Sequence, residues 1–193
     1  MADGTLKVGT ITTSSGSGTI TLGASGETVD MSNGTMTLNS SMKMTPAFEA
    51  TLTGSAQTIN DASYTKINCD TEVYDTDGCY DNSTNYRFTP TTAGKYYVYG
   101  KALIDNNAGN MRNVVNVIYK NGSSLTLGAV NFHSSDSNDG EGASAFIATV
   151  VDMNGSSDYL ELYVYGDTVS GGTSSVDNNE RRTAFGAYRL IGV

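Results

Sequence analysis

Apolar and polar residues alternate along much of this chain with the period of two that is typical of β-strands. The clearest stretch is Tyr159–Tyr165, in which Leu160, Leu162 and Val164 occupy every second position. Tyrosine and glutamate residues take the positions between them. The pattern predicts a strand whose aliphatic face lies in a core, and whose tyrosine face is either outer surface or a subunit contact.

Short stretches of this kind follow one another from Pro46 to the end of the chain. The predicted strands are Ala47–Leu52, Thr65–Asp70, Tyr86–Phe88, Gly94–Ile104, Asn113–Tyr119, Ser124–Val130, Ala143–Val151, Tyr159–Tyr165 and Thr183–Ile191. Turn sequences such as Lys120-Asn121-Gly122 and Asn154-Gly155-Ser156 separate them. Many short strands and no predicted helix indicate an all-β fold, built as a two-sheet sandwich or jelly roll.

The first quarter of the chain has a different pattern, a repeat with a period of eight residues. Ser17-Gly18, Ser25-Gly26 and Asn33-Gly34 recur at that spacing, and a short alternating stretch follows each pair. Glycine provides the positive φ that a tight turn requires, so the repeat predicts a series of small β units. All tyrosines and phenylalanines lie after residue 44. We therefore place a stem in residues 1–45 and a head in residues 46–193.

A stem of this kind has about two apolar residues per strand, and a single chain cannot bury so thin an apolar face. We expect identical copies to wrap around a common axis, as in the shafts of bacteriophage fibres and spikes, which this repeat resembles. The candidate axis residues are Ile20, Leu22, Val29, Met36 and Leu38. The alternative is a disordered linker rich in Gly and Ser, in which apolar alternation would have no purpose.

The net charge of -9 argues against two classes of partner. A nucleic-acid backbone and an anionic membrane surface would both be repelled. No apolar run approaches the roughly 20 residues of a membrane span. The segment Met1–Thr10 also lacks the apolar stretch of a signal peptide. We therefore expect neither nucleic-acid binding nor membrane insertion.

Several motifs of the head resemble the aromatic signature of the C1q/TNF-like superfamily. They are Cys69-Asp70-Thr71-Glu72, Phe88-Thr89-Pro90, Ala93-Gly94-Lys95-Tyr96, Ile118-Tyr119-Lys120-Asn121-Gly122, Asp158-Tyr159-Leu160-Glu161-Leu162-Tyr163 and Ala184-Phe185-Gly186-Ala187-Tyr188. The departures are Cys69, Val98 and Gly100, which stand where the family has aromatic residues, and one extra residue before Phe88. Together with the repeat, the pattern is most similar to C1q-like proteins of bacteriophages, notably marine ones.

The resemblance implies a compact homotrimer of C1q/TNF-like jelly rolls around a threefold axis, with both termini of each roll at one end. It also implies recognition through trimer surfaces and loops, and no shared catalytic site. Long polar loops on a rigid β scaffold commonly carry recognition residues. The longest such segments are Asp105–Asn110, Asn131–Gly142 and Gly166–Arg182. The candidate residues in them are His133, Asp136, Asp139, Arg181 and Arg182. The alternative is that these loops are only solvated connections.

The sequence offers little for metal or covalent chemistry. His133 is the single histidine, so it cannot form a His-rich zinc site, and no catalytic motif flanks it. Cys69 and Cys79 are ten residues apart, a spacing that allows either buried free thiols or a disulfide. Asp75-Thr76-Asp77-Gly78 is similar to the start of a calcium loop but lacks the remaining ligands. We expect no metal, no cofactor and no catalytic residues.

Three functional hypotheses follow from these observations. The first is a non-enzymatic virion protein, a trimeric fibre, spike or head-decoration protein whose stem contacts other virion proteins. Its head would bind a host-surface glycan or receptor, or stabilise the particle. The second is a secreted bacterial C1q-like adhesin or matrix protein, which would be extracellular. The third is a polysaccharide depolymerase, although phage enzymes of that type are usually much longer chains.

Overall fold

The structure is a computed structural model that describes residues 10–11, 18–20, 25–30, 32–39, 42–105, 111–131, 140 and 142–192. The chain divides into two compact units, Met1–Thr37 and Leu38–Val193. In the described part of the first unit, turns lie at 25–26 and 32–33, and Gly26 has a φ of 89°. Those residues contain no strand, so the β-stem remains a prediction, as does its boundary at residue 45.

The second unit is built from strands, as the alternating pattern predicts. In chain order they are β1 (Ala47–Thr51), β2 (Gln57–Ile59), β3 (Ser63–Lys66), β4 (Thr71–Asp75), β5 (Tyr80–Asp81), β6 (Arg87–Phe88), β7 (Gly94–Lys101), β8 (Leu103–Asp105), β9 (Met111–Lys120), β10 (Ser123–Asn131), β11 (Gly142–Ser144), β12 (Ile147–Met153), β13 (Leu160–Thr168), β14 (Ser174–Val176) and β15 (Ala184–Arg189). In the part of the chain that the structure describes, no helix is long and apolar enough to cross a membrane.

The strands form two antiparallel layers, which confirms the predicted jelly-roll sandwich. The first layer has the order β12-β7-β15-β1-β4 and continues as the shorter sheet β11-β8-β14-β2. Each strand of the shorter sheet is the neighbour in the chain of the strand that it extends. The consecutive pairs are β7–β8, β11–β12, β14–β15 and β1–β2, so the strand orders of the two sheets match. The second layer has the order β10-β9-β13-β6-β5, and β3 also pairs with β13.

Aromatic rings fill the centre of the core between the two layers. The ring of Phe48 stacks on Tyr80 at 4.6 Å and on Phe88 at 4.5 Å, and it meets Phe185 edge-on at 5.1 Å. Such ring pairs contribute about 0.5–1.5 kcal/mol beyond the area that they bury. The head therefore has a core of its own.

Strand β13 shows the alternation that the sequence predicts. Leu160, Leu162 and Val164 are fully buried between the layers, whereas Tyr163 and Tyr165 point outward and are half-buried. The aliphatic half of the prediction is therefore confirmed.

Asn116 of β9 lies in the core where the first layer is interrupted. Its Nδ2 donates hydrogen bonds to the carbonyl oxygens of Ala102 at 3.1 Å and Ala145 at 2.6 Å. Ala102 separates β7 from β8, and Ala145 lies between β11 and β12. One buried amide thus satisfies two carbonyls at the points where the sheet ladder breaks.

Four predicted segments differ from the observed strands. The predicted strand Thr65–Asp70 is wrong beyond Lys66, and β4 follows instead. Alternation does not predict β4, because four of its five side chains are exposed. The predicted strand Gly94–Ile104 is interrupted at Ala102, and the predicted strand Ala143–Val151 is interrupted at Ala145 and Phe146. The predicted loop Gly166–Arg182 contains β14.

The chain enters and leaves the sandwich at the same end, as the resemblance implies. Strands β1 and β15 are antiparallel neighbours, with Ala47 opposite Tyr188. At the other end, which we call the far end, β8 finishes at Asp105 opposite Gly142.

Candidate binding surfaces

The outward side of β7 and β15 carries a cluster of tyrosines, which we call the first tyrosine face (Tyr74, Tyr97, Tyr99 and Tyr188). Tyr97 lies directly opposite Tyr188, with ring centroids 5.4 Å apart, and Tyr97 is 6.2 Å from Tyr99. Tyr74 of β4 is 41% exposed. Four half-exposed rings on one sheet surface are typical of a face that contacts another protein.

A carboxylate and a glycine fix the position of Tyr99 on this face. The Tyr99 hydroxyl donates a hydrogen bond to Glu49 of β1. The ring crosses Gly186 of β15, where a Cβ atom would meet the Tyr99 ring and hydroxyl at 2.4 Å. Burial, and then the hydrogen bond to Glu49, raise the pKa of Tyr99 well above its usual range. The phenol is therefore neutral and ordered, and glycine at position 186 makes this arrangement possible.

One edge of the sandwich exposes further apolar side chains, which we call the β10–β12 edge. Phe146 and Val150 beside and on β12 are 62% and 50% exposed, and Leu125 and Leu127 on β10 are 41% and 56% exposed. The two strands are packed together, because a Cβ atom at Gly128 would lie 2.6 Å from Ile147. Val150 lies directly opposite Tyr97 of β7, and Phe146 lines one cleft with Tyr99, so the β12 side of this edge continues the first tyrosine face.

The opposite layer carries the second tyrosine face (Tyr64, Tyr119, Tyr163 and Tyr165). Tyr119 stacks on Tyr163 with centroids 4.0 Å apart. Tyr64 lies opposite Tyr165 across β3 and β13, and their centroids are 5.0 Å apart. Tyr64 is also 6.4 Å from Tyr119 and is 50% exposed. The rings therefore form a continuous group across β3, β13 and β9.

Charges around the second tyrosine face are paired. Lys66 contacts Glu161 at 3.1 Å, Arg112 contacts Asp167 at 3.7 Å, and Lys120 contacts Asp158 at 2.9 Å. The guanidinium of Arg87 lies 4.6 Å from the centre of the Tyr159 ring, a cation–π contact. The surroundings of this face are locally near neutral on a chain whose net charge is -9.

The two arginines among the predicted binding residues lie beside the first tyrosine face. Arg182 pairs with Asp177 at 2.9 Å, and Lys101 donates a hydrogen bond to the Arg181 carbonyl at 2.6 Å. Arg181 lines an open cleft of about 420 Å³ together with Tyr99 and Lys101. The structure thus places these arginines midway along the first layer, between β14 and β15.

The other predicted binding residues, His133, Asp136 and Asp139, lie outside the described residues. Their place is therefore still a prediction. The described strand ends on either side of them are Asn131 and Gly142, and Gly142 is at the far end.

The predicted stem residues that the structure describes are open to solvent in the single chain. Ile20 is 44% exposed, Val29 51% and Met36 56%, and Leu38 is partly buried. Leu22 lies outside the described residues. Exposed large apolar side chains at these positions are compatible with burial by other copies of the chain.

The cysteines are buried free thiols, which answers the question that their spacing leaves open. Burial, and then the nearby charge of Asp70, raise the pKa of Cys69 to about 12, so this thiol is unreactive at neutral pH. Asp75 accepts hydrogen bonds from the backbone of Asp77 and Tyr80, which makes it a turn residue. Among the described residues, no group of three His, Cys, Asp or Glu side chains is arranged to hold a metal.

Similarity to known proteins lies in the fold rather than in the sequence. No protein-family model matches this chain, and no curated protein matches its sequence. Murine APRIL, crystallised at pH 8.5, is 11% identical with a TM-score of 0.53, over 75% of this chain and 98% of its own. The Eiger TNF from S. frugiperda is 14% identical with a TM-score of 0.54, over 76% of this chain and 93% of its own. The head is therefore a TNF-like jelly roll.

Proposed function

We propose that this chain is a non-enzymatic structural protein of a bacteriophage particle, in which three copies assemble through their jelly rolls. The jelly roll is the distal head, and the N-terminal repeat is the stem that contacts other virion proteins. One observation carries the proposed assembly: a single head exposes a continuous apolar surface, which runs from the first tyrosine face across β12 to the β10–β12 edge.

A broad apolar face that ends at an apolar edge fits a head-to-tail contact between copies. In such an assembly the edge of each copy covers the face of the next, and rotation about one axis closes the ring. Tyr97, Tyr99 and Tyr188 provide broad ring surfaces on the face, which Val150 extends. Leu125 and Leu127 provide large apolar side chains at the edge. The resemblance of the sequence to C1q-like proteins favours three copies.

The stem supports the same assembly. Ile20, Val29 and Met36 are each about half exposed in the single chain, and symmetric copies would bury all of them along one axis. The period-eight repeat ahead of a compact head resembles the shafts of phage fibres and spikes. This resemblance supports placement in a virion, where the head binds a host-surface ligand or stabilises the particle.

The hydrogen bonds of the acidic side chains also favour a binding role over a glycosidase. The backbone N–H groups of Thr84 and Ser83 donate to Asp81 and hold the pKa of that carboxyl well below its usual range. Asp70 accepts hydrogen bonds from the backbone of Thr53 and Gly54. These carboxylates order loops, and a glycosidase would need a pair of free carboxyl groups facing a sugar.

Native mass spectrometry of the purified chain tests the assembly, with an expected mass of three times 20.3 kDa. Val150→Asp should give monomers, because it would bury an unpaired charge in the contact of every copy. Val169→Asp is the matched control, since Val169 is 48% exposed but lies after β13, away from both surfaces. A wild-type monomer at micromolar concentration would contradict the assembly.

Mass spectrometry of purified phage particles tests the placement. The proposal requires this chain among the proteins of the particle. If the chain is instead found only in the bacterial culture medium, the virion assignment is wrong, whatever the number of copies.

A further inference from the structure

We propose that the second tyrosine face binds an uncharged glycan, by packing pyranose rings on its tyrosines. This inference rests on the proposed function, in which the first tyrosine face is covered by another copy. The second tyrosine face lies on β3, β13 and β9 of the opposite layer, so an assembly that covers the first tyrosine face leaves it open.

The geometry of the rings suits a sugar. Tyr64, Tyr165 and Tyr119 are spaced at 5.0 Å and 6.4 Å, on the scale of one pyranose ring. One side of a pyranose carries mainly C–H bonds, which pack on aromatic rings, while its hydroxyls can exchange hydrogen bonds with phenol oxygens. Tyrosine provides both kinds of contact in one side chain. Half-exposed Tyr64 offers the most accessible ring of the group.

The platform is rigid before any ligand binds. Val115 and Val117 point to this side of β9, yet they are only 5% and 0% exposed, because the surrounding side chains cover them. Tyr163 is held by stacking on Tyr119 with centroids 4.0 Å apart. A ligand would therefore lose little affinity to ordering of these side chains.

The charge pattern selects an uncharged ligand over an acidic one. Lys66, Arg112 and Lys120 are each held in an ion pair within the chain, and Arg87 lies against the Tyr159 ring. An acidic sugar would have to take a cation from one of these contacts, on a chain with a net charge of -9. A neutral pyranose needs only ring surface and hydroxyl partners.

Electrophoresis of the full chain in native gels that contain polysaccharide tests this site. The neutral probes are dextran, galactomannan and xylan, and the acidic comparison is alginate. We expect retardation by at least one neutral polymer and none by alginate. Tyr64→Ala should weaken the apparent affinity by about tenfold, the upper end for one aromatic contact. Tyr64→Phe, which keeps the ring, should retain most of the binding, and Val169→Ala should bind like wild type.

Three outcomes would overturn the proposal: no retardation by any neutral probe, equal retardation by alginate, or unchanged retardation of Tyr64→Ala. The chain has no tryptophan, so quenching of tyrosine fluorescence by the same polymers gives a second measurement. The native mass of each variant separates the two proposals. A trimer that binds no glycan overturns this site alone, whereas a monomer that binds glycan through Tyr64 overturns the assembly alone.

Discussion

Replacement of Asn116 by alanine should destabilise the head more than its size suggests. The side chain is fully buried, and its Nδ2 serves the carbonyls of Ala102 and Ala145, at two interruptions of the first layer. Alanine leaves both carbonyls in the core without a donor. The residue thus stabilises the fold by allowing the sheet to break, rather than by filling space.

The magnitude follows from the count of polar atoms that change partner. Each orphaned carbonyl costs about 1–3 kcal/mol, so two cost about 2–6 kcal/mol. Asn116 Oδ1 is itself buried without a partner, and its removal returns part of that cost. We expect a net loss of about 2–4 kcal/mol in the free energy of unfolding. That is a large share of the 5–15 kcal/mol that is typical of a domain.

Urea denaturation followed by circular dichroism measures this loss. Asn131→Ala is the control, because Asn131 is an exposed asparagine at the end of β10, on the same hairpin as Asn116. Asn116→Asp tests the role of the donor: an ionised carboxylate cannot donate, so this variant should be the least stable at neutral pH. It should recover as the pH falls, because burial raises the pKa of such a carboxyl and the protonated form donates one hydrogen bond. A loss below about 0.5 kcal/mol in Asn116→Ala, the usual range for surface changes, would refute this account.

Two further predictions concern the stem and the pH dependence of the head. Met36→Asp should make the N-terminal segment sensitive to protease while the head keeps its melting temperature. The control Thr37→Asp should change neither property. A lower melting temperature of the head in Met36→Asp would show that stem and head unfold as one cooperative unit. Burial raises the pKa of Tyr96 to about 12 and those of Tyr80 and Tyr99 well above the usual value of about 10. The neutral phenols therefore contribute stability that is complete below about pH 10 and is lost as the pH rises through about 12. The melting temperature of the head should fall across that pH range. A melting temperature that does not change with pH there would contradict the burial of these phenols.

The sequence predicts most of the fold because the core strands alternate. Leu160, Leu162 and Val164 are buried as predicted, and the free, buried Cys69 occupies a core position that the resemblance assigns to an aromatic residue. In these strands the pleat turns every second side chain toward the core, and those side chains are the apolar ones. The alternation of residues is therefore sufficient to predict the strand and its buried face.

The elements that the sequence does not predict are those that tertiary contacts decide. The exposed strand β4 has no alternation, and it forms because β1 offers it a free edge, with Phe48 opposite Asp75. The break at Ala102 depends on Asn116, which is distant in sequence, and no local signal announces it. The position of Tyr99 likewise depends on the absence of a side chain at Gly186.

The two tyrosine faces also differ in a way that depends on tertiary contacts and that the sequence pattern does not predict. In sequence, Tyr97 and Tyr99 alternate with core residues just as Tyr163 and Tyr165 do, so the pattern alone does not distinguish the two faces. The surroundings separate them in the structure. The first tyrosine face shares its layer with exposed Val73, and exposed Val150 of β12 lies directly opposite Tyr97. The second is framed by ion pairs that the chain already satisfies. Large aliphatic side chains beside the first tyrosine face favour a protein partner, and tyrosine rings among paired charges favour an uncharged glycan. The difference between the two faces therefore comes from neighbouring residues that the fold brings together.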